Sequence, residues 1–167
     1  QAILSYGTIT SLHNLIGGLI SGINGASGIV NALSIDSLVN DGTISSTGSG
    51  GSAIYNYSYW TLNDVPNPVP TITTLTNNGT ITSDGWGIYN QGLITTLTNN
   101  GTIQTTNIGQ NSLSAPIYNS GTITNIVNTG SILGDWMYGI VNYTNASINS
   151  ITNTSNGASN GIIYGSY

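Results

Sequence analysis

Two seven-residue phrases, Ile88-Tyr-Asn-Gln-Gly-Leu-Ile94 and Ile117-Tyr-Asn-Ser-Gly-Thr-Ile123, are copies of one pattern. Each is followed, after two residues, by a second copy: Leu97-Thr-Asn-Asn-Gly-Thr-Ile103 and Ile126-Val-Asn-Thr-Gly-Ser-Ile132. The repeating unit is Ile-x-Asn-x-Gly-x-Ile, two residues, then Leu/Ile-x-Asn-x-Gly-x-Ile, with apolar positions at offsets 0, 6, 9 and 15. Those offsets fit no helix of period 3.6, and short Thr/Ile runs such as Thr80-Ile-Thr82 favour strands. A repeat of this length is one supersecondary unit that buries its apolar face only by stacking on its neighbours. Units begin at Ile3, Ile29, Ile54, Ile88, Ile117, Ile140 and Ile162, and the shortest spacing is 22 residues. The sequence therefore predicts an all-β parallel β-helix of about six coils with a truncated seventh, one solenoid domain over 1–167. A loop insertion around 57–70, rich in Pro, interrupts the third unit.

The repeat gives its asparagines a role. One column, at the second position after the Leu/Ile of the second phrase, is Asn14, Asn40, Asn77, Asn99, Asn128 and Asn153; another is Asn31, Asn56, Asn90, Asn119 and Asn142. At a strand spacing of about 4.8 Å, stacked amides can bond from coil to coil as an Asn ladder and fix the register. Asn-Gly and Asn-x-Gly at fixed offsets are expected to supply residues that tolerate the left-handed backbone sharp corners need.

Composition excludes several functions. There is no Lys, Arg, Glu or Cys, and five Asp with one His give a formal net charge of −5. Without a cation the chain cannot neutralise phosphates or hold an anionic membrane surface, so no nucleic acid and no membrane insertion is expected. Absent cysteine removes disulfides and thiolate chemistry. The carboxylates Asp36, Asp41, Asp64, Asp84 and Asp135 are scattered, His13 stands alone, and no Gly-x-Ser-x-Gly elbow occurs. We therefore expect no enzyme, no cofactor and, lacking an Asp-rich loop, no metal site. The chain opens at Gln1, as a processed product or an excised fragment does.

Through Leu75-Thr-Asn-Asn-Gly-Thr-Ile81, Leu97-Thr-Asn-Asn-Gly-Thr-Ile103 and Ile117-Tyr-Asn-Ser-Gly-Thr-Ile123, the chain resembles the passenger regions of bacterial autotransporters and related surface adhesins. The resemblance implies a right-handed parallel β-helix, an extracellular or cell-surface location, and adhesive or scaffolding work. The chain departs from that family in lacking a translocator barrel and all cations.

Two surfaces are candidates for function. If the first Ile of each unit points inward, the next residue points outward, giving a stripe of Leu4, Val30, Tyr55, Tyr89, Tyr118, Val141 and Ile163. Tyr55, Tyr89 and Tyr118, with Trp86, Trp136 and Tyr138 on variable segments beside Asp84 and Asp135, could stack on surface glycans or contact a neighbouring solenoid. The other surface is the pair of ends, Ile3, Leu4 and Tyr6 against Ile162, Ile163 and Tyr164. Neither end has a helical period, a charged cluster or Pro to block a strand edge. The leading expectation is an extracellular subunit that stacks end to end with itself, the truncated coil completing against the next copy. The alternative is a glycan- or cell-binding adhesin segment. A lesser one is ice binding by Thr arrays, which Asp36, Gln104 and Leu133 interrupt.

Overall fold

A computed structural model describes residues 1–58, 68–106, 114–135, 138–155 and 161–165. Among these residues there are eighteen strands and no helix, and the strands form three six-stranded parallel sheets. Each coil contributes one strand to each sheet. In the fourth coil these are Trp86–Asn90, Leu93–Asn99 and Thr102–Thr105. Five full turns carry the chain from Ile3–Ser5 to Ile140–Asn142, and two further strands complete the sixth layer.

The apolar offsets map directly onto the sheets. In the fourth coil Ile88 belongs to the first sheet, Ile94 and Leu97 to the second and Ile103 to the third, and all four are fully buried. The offset of three between Ile94 and Leu97 marks a place where strand alternation breaks: two successive residues, Thr95 and Thr96, are less buried between two core positions. Across coils the columns are in register, for example Ile72, Ile94 and Ile123. Each buried Ile or Leu contributes about 1.5–3 kcal/mol, which is how a chain with few aromatics and no disulfide holds together.

Both Asn columns are ladders, buried except at Asn142 and Asn153 in the sixth coil. Nδ2 of Asn14 donates to Oδ1 of Asn40 (2.8 Å), Asn40 to Asn77 (2.8 Å), Asn77 to Asn99 (2.7 Å), Asn99 to Asn128 (2.7 Å) and Asn128 to Asn153 (2.7 Å). The second column runs likewise from Asn31 through Asn56, Asn90 and Asn119 to Asn142. Most rungs also donate to a corner carbonyl of their own coil, as Asn99 does to Gly101 O (3.2 Å), and to a carbonyl of the next, here Ser131 O (3.1 Å). The amides thus satisfy backbone groups that tight corners would otherwise leave bare.

The second ladder is one rung short. In the first coil its place is taken by Ser5, which donates to Gly7 O (3.0 Å). Asn31 Oδ1 is left buried with no partner. Ser5→Asn supplies the missing donor and is expected to raise the unfolding free energy by about 1 kcal/mol, the net worth of one hydrogen bond. A urea unfolding curve with no gain in midpoint contradicts this account of the orphaned oxygen.

Three expectations are corrected. Ile162–Gly165 does not begin a seventh coil: it pairs with Ser131–Gly134 and is the third side of the sixth. The Asn-to-Gly corner that spans two positions at Asn128 and Gly130 spans eight at Asn153 and Gly161, which made Ile162 look like a new start. Ile163 consequently falls in the core column with Ile132, outside the aromatic stripe. Finally, the repeat glycines are not left-handed. Positive φ occurs, among described residues, at Asn24, Asn145, Gly17, Gly25, Gly48 and Gly50, none of them in an Asn-x-Gly corner of the repeat. Gly79, Gly101 and Gly130 instead permit close approach: a Cβ on each would lie 2.1 Å from the carbonyl oxygen of the glycine one coil below. The insertion at 57–70 falls largely on residues 59–67, outside the described residues.

Candidate functional site

The outward stripe of the first sheet becomes a packed aromatic column. Strand pairing places Tyr55, Tyr89 and Tyr118 one above another. Tyr55 and Tyr89 are stacked at 4.8 Å and 14°, whereas Tyr89 meets Tyr118 edge-on at 5.0 Å. Trp86 reaches from three residues before Tyr89 in the fourth coil to pack on Tyr89 (5.2 Å) and Tyr118 (6.0 Å). Tyr57 tilts against Tyr55 at 4.9 Å, and Tyr143 against Tyr118 at 5.8 Å. The Asn-x-Gly corner adds a polar clamp: the Tyr55 hydroxyl donates to Gln91 Oε1 (3.0 Å), and Gln91 Nε2 donates to the Tyr89 hydroxyl (3.0 Å). Burial pushes the Tyr55 and Tyr118 hydroxyls above their usual range, with neighbouring tyrosines adding to the effect.

The rings therefore spend much of their faces on each other. Where the column changes from Tyr55 to Val30 and Leu4, a recess of about 480 Å³ opens, walled by Tyr6, Tyr55 and Tyr57 and rimmed by Gly25, Ser27 and Gly50. Sequence reasoning missed this recess; the signal was the switch from Tyr to small aliphatics within one column. Trp136 lies outside the described residues. Tyr138 is exposed beside the sixth coil. Asp84 is committed to neighbouring coils, accepting from Gly48 N (2.8 Å) and from the Thr106 hydroxyl (2.9 Å).

An external polar ladder follows the buried one at the corner between the second and third sheets. His13 Nε2 bonds to Asp41 Oδ2, Asn78 Nδ2 donates to Asp41 Oδ1 (2.7 Å), Asn100 to Asn78 Oδ1 (2.8 Å), and Thr129 to Asn100 Oδ1 (2.8 Å). The Asn78 amide, then His13, hold the Asp41 carboxyl below its usual range. A depressed carboxyl pKa stabilises the fold above the unfolded value, and the increment disappears as pH falls through the folded value. Asp41→Asn is therefore expected to flatten the stability-versus-pH curve below about pH 4; acid unfolding that keeps the same slope rules the contribution out.

The two end layers are the other candidate. Ile29, Ile88 and Ile117 of the first sheet and Ile35, Ile94 and Ile123 of the second are fully buried, but the first column ends in the partly exposed Ile3 and Ile140 and the second in Ile9 and Ile148. Ile151 and Ile163 are 47% and 37% exposed. Ile3, Leu4 and Tyr6 lie at the first sheet and Ile162, Ile163 and Tyr164 in the third, so these two segments do not complete one another as a broken coil would. No protein-family model, curated protein or solved structure matches the chain significantly.

Proposed function

We propose that the chain is an extracellular structural subunit that stacks on copies of itself, first coil against sixth, to build a fibre or surface appendage. One observation carries the reading. Every exposed large apolar residue described, apart from Val69, lies within residues 4–23 or 138–164. Exposed large apolar side chains thus gather on the first and sixth coils, whose strand edges are open, a combination that favours pairing with another β-edge. The extracellular location rests on the resemblance of the repeats to surface passenger regions.

Negative-stain electron microscopy over a concentration series tests it. Uniform filaments with an axial repeat of about 30 Å, six layers at about 4.8 Å each, are expected. Single particles at every concentration overturn the proposal.

The recess beside Tyr55 favours a second reading, binding of neutral glycans. Its lining side chains carry no charge, and its size and aromatic walls suit a sugar ring. Val30→Tyr extends the stack into the recess, so it is expected to abolish binding of an N-acetylglucosamine oligomer while preserving the thermal transition. Calorimetry that detects no binding to the unmodified chain, or equal binding to the variant, removes this reading.

A further inference from the structure

The end-to-end reading leaves open how two copies meet, and the inference drawn here rests on that reading. We propose that the contact is head to tail and in register. The sixth coil of one copy continues, strand by strand, into the first coil of the next, so that Asn153 meets Asn14, Ile162 meets Leu19 and Tyr143 meets Tyr6.

Polarity is the first argument. Every rung of both buried ladders points the same way, from Nδ2 of the earlier coil to Oδ1 of the later one. The first coil therefore ends its six-residue ladder in an acceptor, Asn14 Oδ1, which accepts no hydrogen bond among the described residues. At the sixth coil the ladder ends in a donor, Asn153 Nδ2, bonded to Gly161 O (2.9 Å). Acceptor meets donor only when unlike ends join. Two first coils would face acceptor to acceptor, and two sixth coils donor to donor, each a rung lost in an apolar setting.

Side-chain columns supply the second argument. Leu19 and Ile162 occupy the same outward position of the third sheet at opposite ends, 67% and 46% exposed. Between them the column holds only Thr43, Thr80, Thr102 and Ser131. A position that is polar through the middle and apolar at both ends is explained if the two ends become neighbours. Tyr6 and Tyr143 behave alike: each follows the ladder position of its coil, each is exposed, and head-to-tail continuation sets one a strand spacing from the other.

Charge supplies the third. The first carboxylate along the chain is Asp36 and the last is Asp135, so neither contacting coil carries an acid. His13 turns to Asp41 of the second coil. No acidic side chain of either coil is there to repel its neighbour. Because unlike surfaces join, the contact is heterologous and leaves a fresh pair of ends after each addition, which makes the product an open filament.

Since the chain contains no cysteine, engineered thiols report the register without background. Residues paired on adjacent parallel strands lie about 4.8 Å apart, within the Cα separation a disulfide accepts. The full chain carrying Leu19→Cys and Ile162→Cys, both at exposed outward sites, is oxidised mildly and run on a non-reducing denaturing gel. A ladder of dimers, trimers and longer species that collapses under dithiothreitol is expected, and each single variant should remain uncrosslinked. Dimers from Leu19→Cys alone show like ends meeting and overturn the proposal. Filaments seen by microscopy without a disulfide ladder overturn the register but leave end-to-end stacking standing. Neither filaments nor crosslinks, with circular dichroism unchanged from the unmodified chain, overturns both.

Discussion

Asn99→Ala is expected to lower the unfolding free energy by about 3–4 kcal/mol, a large part of the 5–15 kcal/mol typical of a domain. Asn99 donates to Asn128 Oδ1, Gly101 O and Ser131 O and accepts from Asn77, all at zero exposure for the asparagines. Truncation strands Asn128 Oδ1 inside the solenoid, because Asn99 is its donor, and an orphaned buried acceptor alone costs about 1–3 kcal/mol. The rest comes from hydrogen bonds lost at the two carbonyls and from the space the amide leaves. The same change at Asn153 is expected to cost well under 1 kcal/mol, since that residue is exposed and ends its ladder. Urea unfolding of both variants decides the matter: equal losses would mean that the ladder is a passenger of the Ile and Leu columns and does not stabilise the fold.

That contrast also shows why so much of the architecture was legible beforehand. Inward Ile and Leu positions recur because each coil must fill the same cross-section, and the two asparagine columns recur because each corner has the same carbonyls to satisfy. Both constraints act at every layer, so they write themselves into the sequence as a repeat. What happens once was harder to read. Ile162 begins with the right residue types, yet the hydrogen bond from its N–H to Gly130 O places it on the third sheet. The longer corner ending at Gly161 conceals that equivalence.

The candidate surfaces divide in the same way. Alternation alone put Tyr55, Tyr89 and Tyr118 on one outer face, and strand register brings them together. Their mutual packing depends on ring rotamers and on Gln91, a residue unlike Ser120 at the same place in the next coil, so no periodic signal announced it. The recess at Val30 is likewise defined by the neighbours that exceed it in size. Periodicity reports what every coil shares; a site is built from what one coil does differently.

Gly101→Ala tests the most specific of the corrected readings. The substituted Cβ would sit 2.1 Å from Gly79 O and within 2.8 Å of the Asn78 carbonyl carbon and oxygen, all backbone atoms of the coil below. No side chain can swing aside to relieve the clash. The two coils must separate at that corner, and the Asn77 to Asn99 rung and the Thr102 N to Gly79 O bond (2.9 Å) lie where they would part. A loss of about 3 kcal/mol or more is expected, at the upper end of overpacking costs. Gly50→Ala provides the opposite case: φ is +88° and nothing lies within 4 Å of its Cβ, so the cost is that of a left-handed alanine, about 1–2 kcal/mol. Were backbone conformation the only cost of adding a Cβ, Gly101→Ala would be the milder change, because its φ lies outside the left-handed region. Thermal or urea unfolding of the two variants therefore separates the explanations by the order of their effects. Close approach of successive coils requires Gly101→Ala to be the more damaging.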